Sequence, residues 1–183
     1  MKRIIFFIFL SLAMVSVSIS MLTHGETHAN QDVVAKEITP FVYCCLAHKG
    51  PFSEIENVIK QLMQQSQNQN VFPAGPILGI YYNSPDQVSP EELKWEMGFP
   101  ITAQTPVQSP LEKKEWNHTP VASALHVGPY EKTGETIIKI MKWMEANGYI
   151  IAGPVLERYL DAAPSSVKPE KLRTEIWIPC KKK

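Results

Sequence analysis

The sequence predicts an α+β fold in which one strand-helix-strand-strand unit occurs twice and the two copies pack as a pseudo-two-fold pair. Two observations support this prediction. Short apolar runs rich in strand-forming residues accompany a segment with the apolar spacing of an amphipathic helix. The same order of landmarks then returns 78 residues later. A single unit cannot bury both its sheet face and its helix stripe, so two units are needed to enclose a core.

The first unit is predicted to occupy residues 41–101. A strand runs from Phe41 to Ala47, and the turn from His48 to Phe52 ends it. A helix follows, and the polar run from Gln64 to Asn70 closes it. Two more strands are predicted, from Ile77 to Tyr82 and from Leu93 to Ile101. The apolar stripe of the helix consists of Ile55, Val58, Ile59, Leu62 and Met63.

The second unit is predicted to occupy residues 121–180, and residues 102–120 form the crossover. The turn that contains His126 repeats the turn that contains His48, 78 positions earlier. The same offset places Gly148 on Asn70, and both residue types suit the left-handed position that ends a helix. After one extra residue in the second unit, Glu175 corresponds to Glu96. One register held over several landmarks indicates an internal duplication.

The duplication is broken at one informative position. The stretch from Gly148 to Leu160 is predicted to be a turn followed by a strand, in which Glu157 and Tyr159 share one face. The first unit has Gly79 where the second has Glu157. A carboxylate among apolar neighbours must stay hydrated, find a partner or await a cationic ligand, and the missing side chain at Gly79 favours a binding site. The alternative is a hydrated Glu157 paired with a neighbouring Lys or Arg.

The N-terminus has the layout of a secretory signal. Lys2 and Arg3 precede an apolar run from Ile4 to Ile19, and small polar residues follow. We therefore expect residues 1–29 to be a signal peptide and residues 34–180 to form the exported domain, periplasmic or secreted. The alternative is a retained N-terminal membrane anchor, for which the run is slightly short. After cleavage we expect no membrane association.

Composition narrows the possible partners. The chain has 18 Lys and Arg against 18 Asp and Glu, so it lacks the basic field that nucleic-acid binding requires. No Cys and His spacing is typical of a zinc site, and we expect no metal or cofactor. Cys44 or Cys45 could form a disulfide with Cys180 in an oxidising compartment, or all three could be buried thiols. The sequence does not predict an oligomeric state.

Several motifs together resemble the GyrI-like, or effector-binding, domain of AraC-type and MerR-type regulators. The resemblance extends from Val34 to Cys180. It is carried by the two His-x-Gly-Pro-aromatic turns at 48–52 and 126–130, Gly75-Pro76-x-x-Gly79-x-Tyr81, Pro90-Glu91-Glu92-Leu93, Gly153-Pro154-x-x-Glu157-x-Tyr159, and Thr174-Glu175-Ile176-Trp177-Ile178-Pro179.

The resemblance implies antiparallel sheets and two main helices around a central groove that takes amphipathic, often cationic, small molecules. It implies that Glu157 meets the cation, and that Tyr81 and Tyr159 supply aromatic faces worth roughly 0.5–2 kcal/mol each. Trp177 and Glu175, which share a strand face, are further candidate ligand-binding residues.

The leading hypothesis is an exported, stand-alone domain that binds amphipathic or cationic compounds as a scavenger, carrier or sensor. The chain shows no helix-turn-helix pattern, so we do not expect a DNA-binding regulator. One alternative is a hydrolase of electrophilic small molecules that uses Glu157 with Tyr159 or Tyr81 as general acid or base. The other is a protein-interaction module without a ligand. His48 and His126 occupy equivalent turns, and we expect them to bond turn backbone groups rather than to act in catalysis.

Overall fold

The computed structural model describes residues 32–183 and has the predicted α+β architecture. Within this range the elements follow in chain order: β1 (Val34–Lys36), β2 (Phe41–Lys49), α1 (Ile55–Asn68), β3 (Ile77–Tyr81), β4 (Lys94–Pro100), β5 (Glu112–Trp116), β6 (Val121–Val127), α2 (Thr133–Ala146), β7 (Tyr149–Ile151), β8 (Val155–Tyr159) and β9 (Arg173–Lys182). Each predicted unit is present as a strand, a helix and two further strands, with the short β7 added in the second.

The two units join at the middle of one antiparallel sheet. The strand order is β1-β6-β9-β8-β3-β4-β2-β5, and β7 pairs with β9 beside this path. Strands β2, β3 and β4 form one half with β5 at its edge, and β6, β8 and β9 form the other half with β1 at its edge. The pair formed by β3 and β8 therefore holds the two modules together at the pseudo-two-fold axis.

Both helices pack on the same side of the sheet, here called the helix face. The stripe of α1 buries Val58 and Leu62 against Trp95, Met97 and Phe99 of β4. The stripe of α2 forms the equivalent core of the second module, where the buried residues include Ala122, Ile140, Met144, Ile176 and Ile178. Burial at about 25 cal/mol per Å² of apolar surface makes both clusters substantial contributors to stability.

The opposite side of the sheet carries neither α1 nor α2 and is here called the strand face. Strand alternation places Leu78 and Ile80 of β3 and Leu156 of β8 on this side, where they are buried. Trp116 and Trp177 complete the same apolar cluster. The sheet thus separates two environments, and residues adjacent in sequence belong to different ones.

The ends of the two helices follow the predicted repeat. Asn70 has φ 55° and Gly148 has φ 69°, so both occupy the left-handed conformation that closes a helix. In the second module His126 Nε2 donates to the carbonyl oxygen of Pro129 at 3.1 Å, which is the expected structural role. In the first module His48 instead contacts the Glu54 carboxylate at 2.5 Å.

The predicted crossover at residues 102–120 contains an additional strand. Within it β5 pairs with the edge of β2, although its charged sequence Glu-Lys-Lys-Glu-Trp hides the strand pattern. Cys44, Cys45 and Cys180 are buried free thiols, which is the second of the two sequence alternatives. The predicted signal peptide at 1–29 lies outside the described residues. Neither helix within residues 32–183 has the length and apolar character that a membrane span requires.

Candidate functional site

The candidate site lies on the pseudo-two-fold axis, on the helix face. In the pairing of β3 with β8, Gly79 is directly opposite Glu157. Tyr81 and Tyr159 follow these two residues at the next position on the same face, as strand alternation predicts. The one position at which the duplication places a carboxylate against no side chain is therefore the centre of the molecule.

Gly79 leaves room for the hydroxyl groups of both tyrosines. A Cβ atom at this position would lie 2.7 Å from Tyr81 Oη and 3.0 Å from Tyr159 Oη. These separations are too short for a carbon atom beside an oxygen, so any larger residue would displace the rings. The two hydroxyl groups occupy the space that the missing side chain at Gly79 leaves opposite Glu157.

A chain of hydrogen bonds links the tyrosines to the carboxylate. Tyr159 Oη donates to Glu157 Oε2 at 2.8 Å. Tyr81 Oη lies 2.7 Å from Tyr159 Oη. Because the Tyr159 proton is directed at the carboxylate, Tyr81 must be the donor in the second bond. We call Gly79, Tyr81, Glu157 and Tyr159 the central cluster.

Glu157 is buried without a cationic partner at salt-bridge distance among residues 32–183. Its residue is 5% exposed. Burial raises the pKa of the carboxyl group above its ordinary value, although hydrogen bonds from Tyr159 and Thr133 and the nearby His126 oppose the shift. The carboxyl group therefore takes up a proton more readily than a hydrated Glu.

The two tyrosine hydroxyl groups remain protonated donors. Burial raises the pKa of Tyr159 well above its ordinary value, and the adjacent Tyr81 and Glu157 add to the shift. Burial likewise raises the pKa of Tyr81, with a further contribution from the charge of Glu157. Neither phenol ionises at ordinary pH beside a buried carboxylate, so both hydroxyl groups keep their protons.

A second pair of aromatic residues borders the central cluster. The ring of Phe52 packs edge-on against Tyr81 with a centroid separation of 5.3 Å. Tyr130 packs edge-on against Tyr159 with a separation of 5.2 Å. Sequence reasoning did not name these two residues as site residues, although each is the aromatic residue of a repeated His-x-Gly-Pro turn. That equivalence was the signal that could have identified them.

Glu175 and Trp177, the other two candidate residues, lie on the strand face. Glu175 accepts a hydrogen bond from Arg158 Nη1 at 2.5 Å and forms an ion pair with Lys36. The Lys36 and Arg158 cations lie 5.0 and 4.7 Å from the Trp177 ring centroid. The structure thus brings Tyr81, Glu157 and Tyr159 together and places Glu175 and Trp177 on the opposite side of the sheet.

No group of three or more His, Cys, Asp or Glu side chains within residues 32–183 could hold a metal ion. The central cluster offers one buried negative group and two tyrosines, and the rings of Phe52 and Tyr130 border it. That combination is suited to a cation with apolar substituents.

The duplicated modules and the acidic centre define a domain of the effector-binding class. Residues 31–181 match the GyrI-like small molecule binding domain, and the chain belongs to this family. It is accordingly a small-molecule-binding domain. Comparison with curated proteins finds no match.

Several solved structures share the fold at low sequence identity. The C-terminal domain of EcmrR is 19% identical with a TM-score of 0.73, and the match covers 84% of this chain and 99% of that one. In the EcmrR–DNA complex the TM-score is 0.74 at 18% identity, covering 85% of this chain, which spans 59% of the EcmrR chain. A hydrolase from Listeria innocua is 12% identical, with a TM-score of 0.59 and coverage of 86% and 96%.

One further neighbour was determined with a ligand. SAV2435 bound to tetraphenylphosphonium is 12% identical to this chain, with a TM-score of 0.56 and coverage of 82% of this chain and 94% of that one. At these identities the likeness establishes a shared fold.

Proposed function

We propose that this chain is an exported domain that binds amphipathic cations at the central cluster, as a scavenger, carrier or sensor. The observation that carries the proposal is the buried Glu157, whose carboxyl group has hydrogen-bond donors but no cationic partner at salt-bridge distance among the described residues. A buried negative charge is costly unless it is paired. A cation that enters the cluster supplies the missing charge.

The aromatic residues favour a cation with apolar substituents over a small inorganic one. Tyr159 bonds the carboxylate and Tyr81 bonds Tyr159, and the rings of Phe52 and Tyr130 pack against these two tyrosines. Their faces attract a cation, and their area is buried by the ligand's apolar groups. Because the two tyrosine hydroxyl groups fill the space beside Gly79, a ligand has to displace at least one of them.

The sequence of residues 1–29 is the basis for proposing export. The positive start, the apolar run and the small polar residues that follow are typical of a signal peptide. An exported binding domain that carries its own ligand site is suited to capture compounds before they reach the cytoplasm, or to deliver them. Secretion of a tagged full-length chain, followed by N-terminal sequencing of the mature protein, tests this part separately.

Tetraphenylphosphonium is the appropriate probe because it is a lipophilic cation that the neighbour SAV2435 binds. We expect it to raise the melting temperature of the mature domain, with about 2.7 kcal/mol of added stability at roughly a hundred times its Kd. The Glu157→Gln variant should lose most of this shift, since the amide keeps the shape of the carboxyl group and removes its charge.

Glu175→Gln is the matched control. It makes the same chemical change on the strand face, where Glu175 already has two cationic partners. We expect this variant to bind tetraphenylphosphonium as the wild type does. Equal shifts in the wild type and in Glu157→Gln would remove Glu157 from the site, whereas no shift in either protein would favour the interaction-module alternative.

A hydrolase is the second candidate. A carboxyl group with a raised pKa, hydrogen-bonded to a phenol, can act as a general acid, and a Listeria innocua hydrolase shares the fold. Incubation with small electrophiles such as epoxides, followed by mass spectrometry, separates the candidates. Turnover that Glu157→Gln abolishes would favour the hydrolase, whereas unchanged compounds that remain bound would favour the binding domain.

A further inference from the structure

A second hollow lies on the strand face, on the other side of the sheet from the central cluster. It has a volume of about 510 Å³, within the range of small-molecule sites. Its charged lining comes from Lys49, Lys94, Glu96 and Lys114. Tyr82, 51% exposed, adds an aromatic surface at its edge. We call this the lysine hollow.

Two of its lysines are directly opposite each other. In the pairing of β2 with β4, Lys49 is the cross-strand partner of Lys94. Like charges at such positions are destabilising. Neither ammonium group has an acidic partner at salt-bridge distance among residues 32–183. The fold therefore keeps two unneutralised positive charges side by side at the edge of a hollow.

The remaining two lining charges pair with each other, and Lys114 also lies 3.2 Å from the Glu112 carboxylate. Glu96 is 1% exposed, and it receives Lys114 Nζ at 2.5 Å and the Tyr43 hydroxyl at 2.6 Å. This fully bonded carboxylate is not available to a cationic ligand. The net charge that the lysine hollow presents is consequently positive and comes from Lys49 and Lys94.

The apolar surface continues beyond the lysine hollow. A neighbouring hollow of about 350 Å³ shares Tyr82 and Lys114 with it. Its lining includes the indole of Trp116 and the imidazole of His118, whose rings pack edge-on with centroids 4.8 Å apart. Trp116 is 2% exposed, so Tyr82 and the half-buried His118 supply the accessible ring surface beside the two lysines.

We propose that the lysine hollow binds a small aromatic anion, with the negative group between Lys49 and Lys94 and the ring against Tyr82. Such a ligand would neutralise the cross-strand repulsion and cover exposed aromatic surface in one step. The domain then has two sites of opposite charge on the two faces of one sheet. The proposal does not depend on the cation site.

Naphthalene-2-carboxylate and the neutral naphthalene-2-carboxamide are matched probes, measured by isothermal titration calorimetry on the mature domain. We expect the carboxylate to bind and the carboxamide to bind at least about tenfold more weakly, because it lacks the charge that the two lysines complement. Equal affinities for the two probes, or no binding of the carboxylate, would overturn the proposal.

Lys94→Glu gives a second, independent readout. It replaces the repulsion with Lys49 by an attraction, so we expect a higher melting temperature together with loss of naphthalene-2-carboxylate binding. Lys181→Glu is the control, since Lys181 is exposed on β9 opposite Ile150, away from the lysine hollow. It should change neither property in this way.

Tetraphenylphosphonium distinguishes a local effect from a general loss of structure. Lys94→Glu should bind it as the wild type does, because the central cluster is on the other face. The milder Lys94→Gln variant covers the case in which the charge reversal disturbs folding. Retention of carboxylate binding in both Lys94 variants would contradict the assignment.

Discussion

The two modules place the same aromatic contact at equivalent positions. Phe52 meets Tyr81 at 5.3 Å and an interplanar angle of 81°, and Tyr130 meets Tyr159 at 5.2 Å and 76°. In each case a turn residue packs on a central strand. This packing does not require the two halves to carry the same charge, so it tolerates Gly79 in one module and Glu157 in the other.

The modules differ where they meet. Gly79 and Glu157 occupy equivalent positions, and so do Ile55 and Thr133 at the start of the two helices. Both differences make the second module polar beside the axis, and Thr133, whose hydroxyl donates to the Tyr130 carbonyl oxygen at 3.0 Å, opposes the rise in the Glu157 pKa. The comparison shows that a duplicated scaffold can acquire one charged centre when one copy loses a side chain and the other gains an acid.

The strand face offers a second comparison, between Glu96 and Glu175. The Glu96 side chain is 1% exposed and pairs with Lys114, which is 31% exposed. The Glu175 side chain is 18% exposed and pairs with both Lys36 and Arg158. The Glu96 carboxylate of the first module thus depends on a single cation. The Glu175 carboxylate of the second module has two cations and is more exposed to solvent.

Removal of one of those cations from each module should give the largest difference in the free energy of unfolding. We expect Lys114→Met to lower the free energy of unfolding by about 2–3 kcal/mol, because it leaves the Glu96 carboxylate buried without a counter-charge. Lys36→Met should cost less than about 1 kcal/mol, since Arg158 and solvent remain. Urea unfolding of both variants measures the two values.

A Lys114→Met variant that also carries Glu96→Gln should recover much of the loss, because the unpaired charge is then gone. Equal destabilisation by Lys114→Met and Lys36→Met would contradict the contrast drawn between the two carboxylates.

Gly79→Ala tests the asymmetry on the axis itself. The added Cβ would lie 2.7 Å from Tyr81 Oη, so the tyrosine pair has to separate, at a cost of about 1–3 kcal/mol. Gly134→Ala is the control within α2, where nothing lies within 4 Å of the new atom. It should stabilise the protein by about 0.5–1 kcal/mol.

Thermal unfolding of the two glycine variants measures both effects. In a Tyr81→Phe background the cost of Gly79→Ala should become smaller without vanishing, because Tyr81 Cε2 still lies 2.9 Å from the added Cβ. A Gly79→Ala variant as stable as the wild type would show that the tyrosines move freely.

The fold could be predicted because the pattern found in one copy of the duplicated unit is tested by the same pattern in the other copy. A residue type that suits the end of a helix, such as Asn70, is weak evidence alone, and so is a single turn motif. The same features 78 residues later exclude coincidence. The missed elements are β1, β5 and β7, which are short or charged edge strands. Edge strands bury little apolar surface and carry charges that prevent aggregation, so they lack the apolar pattern of the central strands.

The central cluster could be predicted in part, for a similar reason. Strand alternation fixes which residues of one strand share a face, and this correctly grouped Tyr159 with Glu157 and Tyr81 with Gly79. It also grouped Glu175 with Trp177. It cannot say which faces of different strands coincide, because that depends on register. In the structure Glu157 pairs with Ile176, which turns Glu175 to the other side.

The smallest expected effect is a pH-dependent stability difference at Glu157. Burial raises the pKa of this group in the folded state above its ordinary value, so the folded protein binds the proton more tightly than the unfolded chain. The resulting stability is fully present below the unfolded pKa and is lost as the pH rises through the folded pKa. Glu157→Gln cannot ionise and keeps the neutral, hydrogen-bonded form.

The melting temperature of Glu157→Gln minus that of the wild type should therefore increase as the pH is raised from about 4 to about 8. Over the same range wild-type affinity for tetraphenylphosphonium should increase, because the cation needs the ionised carboxylate. The two trends have one cause: the charge that destabilises the empty cluster is the charge that the ligand uses. Parallel melting curves for the two proteins across this range would mean that Glu157 is stabilised as a carboxylate without any ligand, and that the difference between the modules is not a device for binding.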